Sequence, residues 1–470
     1  MIRSALSWGG ARAVSAACQR RRIACSLVAL ALGVQVGCLR AEVLEVKAGV
    51  RLVELVCPTV HRTPKGPARA PGTLELVPPE PETLTDLSLD GIETPTAEPP
   101  LAGRVLAPAL AIALWGDSHA AARFLSDALL EAIGYADDDA RSSFIPASLG
   151  IPGVRLPVRR SCSDKGWTHQ QANAARNGRM PFARGLMTMS SSTSGSYVWI
   201  DFGLVPSGQE LASLALLFRP GEPDDRAILA LSVDEGPERI IVLDEHPDGV
   251  VTIQPDRPIR MVKFRLVAGT VAFEGVEPHY ANPGRVTIDT FGIPGARFRV
   301  WRGVDETYLR ARAASRRYDL ILLEYGTNEG SDASFDAGAY EVELRAGLDV
   351  FRAVYPDTAC VLIGPTDRGV LVRRTKPGRK GITRVPPADL LKFSRVHQAI
   401  SSVQQRVGRG YGCGFWNWQE AMGGPGGAYR WFHARPGLMA RDLIHLNPAG
   451  YRVSARKLAQ FLERDYPALR

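Results

Sequence analysis

Four short apolar runs limit what this chain can fold into: LAIALWG (110–116), YDLILLEYG (318–326), CVLIGP (360–365) and GCGFWNW (412–418). Continuous apolar runs of this length, without polar alternation, are those of strands buried on both faces. Stretches of helical period separate them. In SHAAARFLSDALLEAIG (118–134), Phe124, Leu125, Ala128, Leu129, Ala132 and Ile133 recur at helical spacing and Gly134 marks the stop. In the last stretch, NPAGYRVSARKLAQFLERDY, Asn447 reads as a cap and Pro448 sits in the first helical turn. Strands alternating with helices predict an α/β domain, a parallel sheet covered on both faces.

Residues 164–284 break that rhythm. YVWIDFGLV, LASLALLFRP, AILALSV, RIIVLDE, GVVTIQP, RMVKFRLVAG and TVAFEGV are short strands punctuated by Gly, Pro and Asp. They predict a β-sandwich, inserted into an α/β domain made of residues 104–163 and 285–470. Two folded units also suit a chain of 470 residues. Upstream, residues 42–103 read as one or two strands followed by a Pro-, Thr- and Glu-rich spacer. Residues 1–41 read as an export signal or an uncleaved membrane anchor, because Arg20–Arg22 precede the apolar IACSLVALALGVQVGCL. Cys38 invites a lipid-attachment reading, which Gln35 weakens by standing where a large apolar residue is expected. The expected location is extracytoplasmic, in the periplasm or cell envelope.

The formal net charge of +8 comes with no zinc-ligand spacing and no basic helix, so nucleic acid is not the expected partner. Outside the leader stand Cys57, Cys162, Cys360 and Cys413. An even count permits disulfides, while Cys360 and Cys413 fall in core strands where buried thiols serve equally.

The first apolar run ends in Gly116-Asp117-Ser118-His119. Asp and Ser there can simply cap the helix, or Ser118 can be a nucleophile. Three other stretches bear on that choice. FGIPGARF holds Gly292 and Gly295 after a strand, where glycine permits a tight turn and close backbone approach. EYGTNEG puts Asn328 just past a strand end, where ligand sites of open α/β sheets lie. RDLIHLNPAGY sets Asp442 three residues before His445, the pairing in which a carboxylate orients a histidine near a serine. Each has a plainer reading, as a turn or a surface pair.

Together and in this order, the four stretches resemble the conserved blocks of the SGNH, or GDSL-type, hydrolase superfamily. Gly116-Asp117-Ser118, Gly292-Ile293-Pro294-Gly295-Ala296, Gly326-Thr327-Asn328-Glu329 and Asp442-x-x-His445 carry the resemblance. GDSH, GTNE, FWNWQEAMGGPGG and DLIHLNPAGY are similar to the branch of bacterial peptidoglycan O-acetylesterases, which also carry a carbohydrate-module-like β insertion. The resemblance implies a three-layer α/β/α sandwich interrupted by a jelly-roll-like insert. It implies Ser118, Asp442 and His445 as catalytic residues. The oxyanion hole would be formed by the Ser118 and Gly295 N–H groups and the Asn328 amide, with no metal or organic cofactor.

The expected activity is removal of O-acetyl groups from a cell-wall polysaccharide, peptidoglycan first. The alternatives are O-acetyl transfer with the same triad and non-catalytic glycan binding. His119 reads as structural, and Trp416, Trp418 and Trp431 as core or cleft packing. The basic stretch RGVLVRRTKPGRKGITRVPP (368–387) is not a feature the resemblance covers. It reads first as a solvated face and second as a grip on an anionic glycan.

Overall fold

The computed structural model describes residues 110–466 apart from 175–177, 204–209, 220–225, 332–333 and 374–388, together with Leu52, Leu55, Cys57, residues 76–80 and Leu84. The expected leader (1–41), most of the strand and spacer region 42–103, and most of the basic stretch lie outside the described residues.

Six strands form the parallel sheet: β1 (Leu110–Gly116), β2 (Ala140–Arg141), β3 (Val286–Gly292), β4 (Leu320–Glu324), β5 (Ala359–Ile363) and β6 (Cys413–Trp416). Their order is β6-β5-β4-β1-β3-β2 and every neighbouring pair is parallel. The β-type period places alternate residues of β1 on opposite faces, and both faces are covered. Leu110, Ile112 and Leu114 pack beneath α2 (Phe124–Ala132) and α8 (Pro448–Asp465). Ala111, Ala113 and Trp115 pack on the other face against α4 (Ala337–Val354) and α5 (Lys392–Gly410). Between α2 and α4 comes α3 (Glu306–Ala313), and between α5 and α8 come the short helices α6 (Trp418–Ala421) and α7 (Gly427–His433). The α/β/α layering is the one the apolar runs predict.

The chain leaves β1 for β3 on one side and then crosses to β4 on the other. This makes the end of β1 a switch point, where crevices open in such sheets. Register sharpens the point, because Gly116 pairs with both Gly292 of β3 and Glu324 of β4. Three strands therefore end at one level, and the loops that follow them meet.

The β insert comprises two antiparallel sheets. One orders Arg239–Val242, Ile228–Val233, Met261–Ala268, Tyr197–Asp201 and Arg160–Ser163. The other orders Val250–Ile253, Leu211–Phe218, Val271–Tyr280, Met187–Ser191 and Thr168–Gln171. Ile145–Pro146 also pairs with the long strand Val271–Tyr280, so sheet pairing starts well before residue 164. Nothing in the polar RSCS of Arg160–Ser163 marks it as a strand. Its ladder to Tyr197–Asp201 makes it one.

The two sheet systems are joined by buried polar groups. The Trp115 indole N–H donates to Arg184 O at 2.8 Å. Arg184 is itself buried and pairs with Glu277. Asp289, in the middle of β3 and fully buried, accepts from Ser142 Oγ, Ser143 N, Ser143 Oγ, Phe144 N and Tyr318 Oη.

Two disulfides form, Cys57–Cys162 and Cys360–Cys413. The second links β5 to β6 at paired positions, and the first ties an upstream segment to the insert's edge strand. Leu84, from the expected spacer, is buried against Tyr429 and Leu443.

Replacing Asp289 by Ala would leave those buried donors without their acceptor. The expected loss is about 3–5 kcal/mol of stability, read as a lower urea midpoint with no change in the far-UV spectrum of the folded protein.

Candidate active site

Small residues allow the strand ends to close on one another. A Cβ on Gly116 would stand 2.6 Å from Glu324 Oε2 and 2.8 Å from Ala120 Cβ. A Cβ on Gly292 would stand 2.1 Å from Ala121 N. Only glycine at both positions lets α1 (Ser118–Ala121) fold directly over the sheet edge. Asp117 caps this turn, its Oδ1 accepting from His119 N at 2.9 Å. The Ser118 hydroxyl is thereby held at the rim.

From the far end of the sequence, His445 Nε2 lies 2.9 Å from Ser118 Oγ, and His445 Nδ1 lies 2.7 Å from Asp442 Oδ2. Asp442 Oδ1 also accepts from the N–H groups of Ile444 and His445, each at 3.0 Å. These bonds close the turn with Leu443 at φ 55°, a left-handed conformation that costs a branched side chain about 1–2 kcal/mol. Burial of Leu443 offsets that strain. Asn447 follows, capping α8 through Gly450 N at 3.0 Å.

Partial burial would push Asp442 up, but the hydrogen bonds from the His445 ring and from the two N–H groups outweigh it and hold the carboxyl at about 2. The same bond to Asp442 raises His445 above its ordinary 6.5, against its partial burial. The His445 and Asp442 side chains are 38% and 45% exposed, so water reaches both.

The remaining predicted residues gather beside Ser118. Ile293 N donates to Gly116 O at 2.9 Å, pinning the β3 loop to the end of β1. Gly295 has φ +79° and nothing within 4 Å of where a Cβ would be. Gly292 is thus explained by packing, and Gly295 by conformation and by open space at the crevice. Among the described residues, neither the Ser118 nor the Gly295 N–H has a protein acceptor. Asn328 Nδ2 donates to Ala296 O at 2.9 Å and to Asp117 Oδ2 at 3.0 Å. The structure therefore brings all five predicted residues to one crevice.

Sequence reading missed the acid beneath them. Glu324 is fully buried, and its Oε2 accepts from Asp117 N at 3.1 Å. Burial, and then the neighbouring Asp117 charge, raise the Glu324 carboxyl well above its ordinary value. Burial also raises Asp117, to about 6, against the hydrogen bond from His119 N. Burial and the neighbouring acid thus both favour the protonated form of Glu324 beside Asp117. An acid closing the otherwise apolar LILLE was the available signal.

His119 backs the pair from behind. It is fully buried, hydrogen-bonds through Nδ1 to Tyr451 Oη at 3.0 Å, and lies at a tilt with its ring centroid 5.3 Å from those of both Trp418 and His445. Burial, followed by the His445 charge, lowers it to about 3, so it stays neutral. Trp416, Trp418 and Trp431 are buried in the core, as expected.

Residues 273–453 match the GDSL-like lipase/acylhydrolase family. The fold of this chain is that of a solved peptidoglycan O-acetylesterase, with 22% identity over 76% of this chain and 91% of that one at TM-score 0.54. A family two carbohydrate esterase from Clostridium thermocellum in complex with cellohexaose overlaps less well, with 11% identity, 65% and 100% coverage and TM-score 0.26. A salicylyl-acyltransferase from a tetracycline biosynthetic pathway has 14% identity, 66% and 99% coverage and TM-score 0.26. No curated protein sequence matches the chain.

Two measurements check this site directly. In an NMR titration, the His445 ring should titrate above 6.5, and Asp442→Asn should bring it down, since the anion that favours the imidazolium is gone. Glu324→Gln keeps an oxygen to accept from Asp117 N and should fold normally. Glu324→Leu leaves Asp117 buried with one partner fewer and should cost about 1–3 kcal/mol in chemical denaturation.

Proposed function

We propose that the protein is an exported serine esterase that removes O-acetyl groups from a cell-wall polysaccharide, peptidoglycan first. The observation that carries the reading is the hydrogen-bonded series Ser118 Oγ–His445–Asp442, whose last two side chains are 38% and 45% exposed. Ser118 Oγ attacks the acetyl carbonyl while His445 Nε2 takes its proton, and Asp442 orients the ring and stabilises the imidazolium. His445 returns that proton to the departing sugar hydroxyl. Water then attacks the acetyl-enzyme with His445 again as base, freeing acetate and Ser118.

The Ser118 and Gly295 N–H groups, both without protein acceptors, receive the oxyanion together with the Asn328 amide. Asn328 must share one of the hydrogens it gives to Asp117 and Ala296. Asp117 and Glu324 thus hold the amide at the correct edge of the crevice. The neutral His119 keeps a second positive charge away from the imidazolium as it forms.

Water access to His445 and Asp442 supports hydrolysis over transfer to a sugar acceptor. The two disulfides support an oxidising compartment and hence export. Likeness in fold to a peptidoglycan O-acetylesterase supports the substrate.

The test is acetate release from O-acetylated peptidoglycan. Ser118→Ala should abolish it, and Asn328→Ala should lower kcat by about 10²–10³. For the wild-type protein kcat/KM should rise with pH through a midpoint above 6.5, because the base must be neutral and its pKa is raised. Release that persists in Ser118→Ala would reject this mechanism.

A further inference from the structure

Arg368, the first residue of the basic stretch, stands at the rim of the triad and, among the described residues, has no counter-ion. The next residue, Gly369, donates its N–H to Leu443 O at 3.0 Å, so this segment runs along the Asp442–His445 turn. On the other side, Arg368 Nη1 donates to Ser331 Oγ at 3.0 Å, and Ser331 N donates to Asn328 O at 3.3 Å. The guanidinium therefore sits between the loop that carries Asn328 and the turn that carries Asp442 and His445. Phe393 supports it from one face, with Cζ 4.2 Å from the ring centroid.

The side chain is half-buried, its Nε is buried with no hydrogen-bond partner, and Nη2 has no protein acceptor. Among the described residues no Asp or Glu lies within ion-pair distance of it, although Asp442 is near enough to favour its charge. Most arginines buried to this degree are paired. An aromatic-backed guanidinium with an unused edge is shaped to accept a carboxylate in fork geometry.

We propose that Arg368 is a specificity residue that binds a carboxylate on the sugar carrying the ester, or on its neighbour, so that the enzyme selects esters of anionic glycans. This rests on the esterase reading above and adds the charge of the substrate to it.

A pair of probes isolates the effect. 6-O-acetyl-N-acetylmuramic acid and 6-O-acetyl-N-acetylglucosamine differ by a carboxylate-bearing ether. The wild-type protein should prefer the first by about tenfold to a hundredfold in kcat/KM, the worth of one charge-assisted pair. Arg368→Gln should bring the ratio close to one, and Arg368→Lys should restore part of it, since charge returns without the fork. A merely structural Arg368 would lower both rates together and leave the ratio unchanged, which overturns the proposal.

Binding separates this proposal from the esterase reading. In a Ser118→Ala background, calorimetry should show the muramic probe binding more tightly than the neutral one, and the difference should vanish when Arg368→Gln is added. Such a result without turnover by the wild-type protein would overturn the esterase reading and keep the carboxylate site. Equal binding of the two probes to Ser118→Ala would overturn the carboxylate site whatever the turnover.

Discussion

Asp117 is the group on which the site depends. One oxygen of this fully buried carboxylate caps α1 through His119 N, and the other holds the Asn328 amide. Its own backbone N–H is received by Glu324. The turn after β1 and the loop after β4 are thus tied together at Asp117, next to Ser118, and Asn328 extends the tie to Ala296 in the loop after β3. An isolated carboxylate could not remain there, because burial penalises its charge. The bonds from His119 N and Asn328 Nδ2 favour its charge, while burial pushes both it and Glu324 toward the protonated form.

The frame that holds this arrangement is stiff for a related reason. The end of β1 is anchored by Trp115, whose ring packs among Phe291, Trp301, Tyr318 and Tyr355, while its indole N–H reaches across to the β insert. The insert shares an apolar core with the α/β layer, with Phe182, Leu186 and Leu217 joining Ala113 and Phe291 in one cluster. Asp289 closes the seam. A displacement of the insert would therefore be felt at the strand that presents the nucleophile.

Two neighbouring imidazoles are held in opposite conditions. His445, partly exposed and bonded to an anion, is raised toward the charged form. His119, sealed behind it, is pushed down to about 3 and stays neutral. Burial alone accounts for most of the difference. The same logic, applied to a cation, bears on Arg368, which lies over the Phe393 ring and, among the described residues, has no paired anion.

The parallel sheet and the order of its strands' functional loops were legible in the residues. Unbroken apolar runs bury both faces of a strand, and Ser118, Gly295 and Asn328 each lie just past a strand end. Asp442 and His445 were named instead from their spacing ahead of the last helix and from the resemblance of that stretch to a hydrolase block. Their convergence was decided by tertiary structure, since only the register of Gly116 with Gly292 and Glu324 brings positions hundreds of residues apart to one level. The disulfide pairing was decided there too, because Cys360 and Cys413 face each other only once β5 and β6 are neighbours. Glu324 and Arg368 belong to the same class. A single acid ending an apolar run, or one arginine in a basic stretch, acquires chemical meaning only from what is buried beside it.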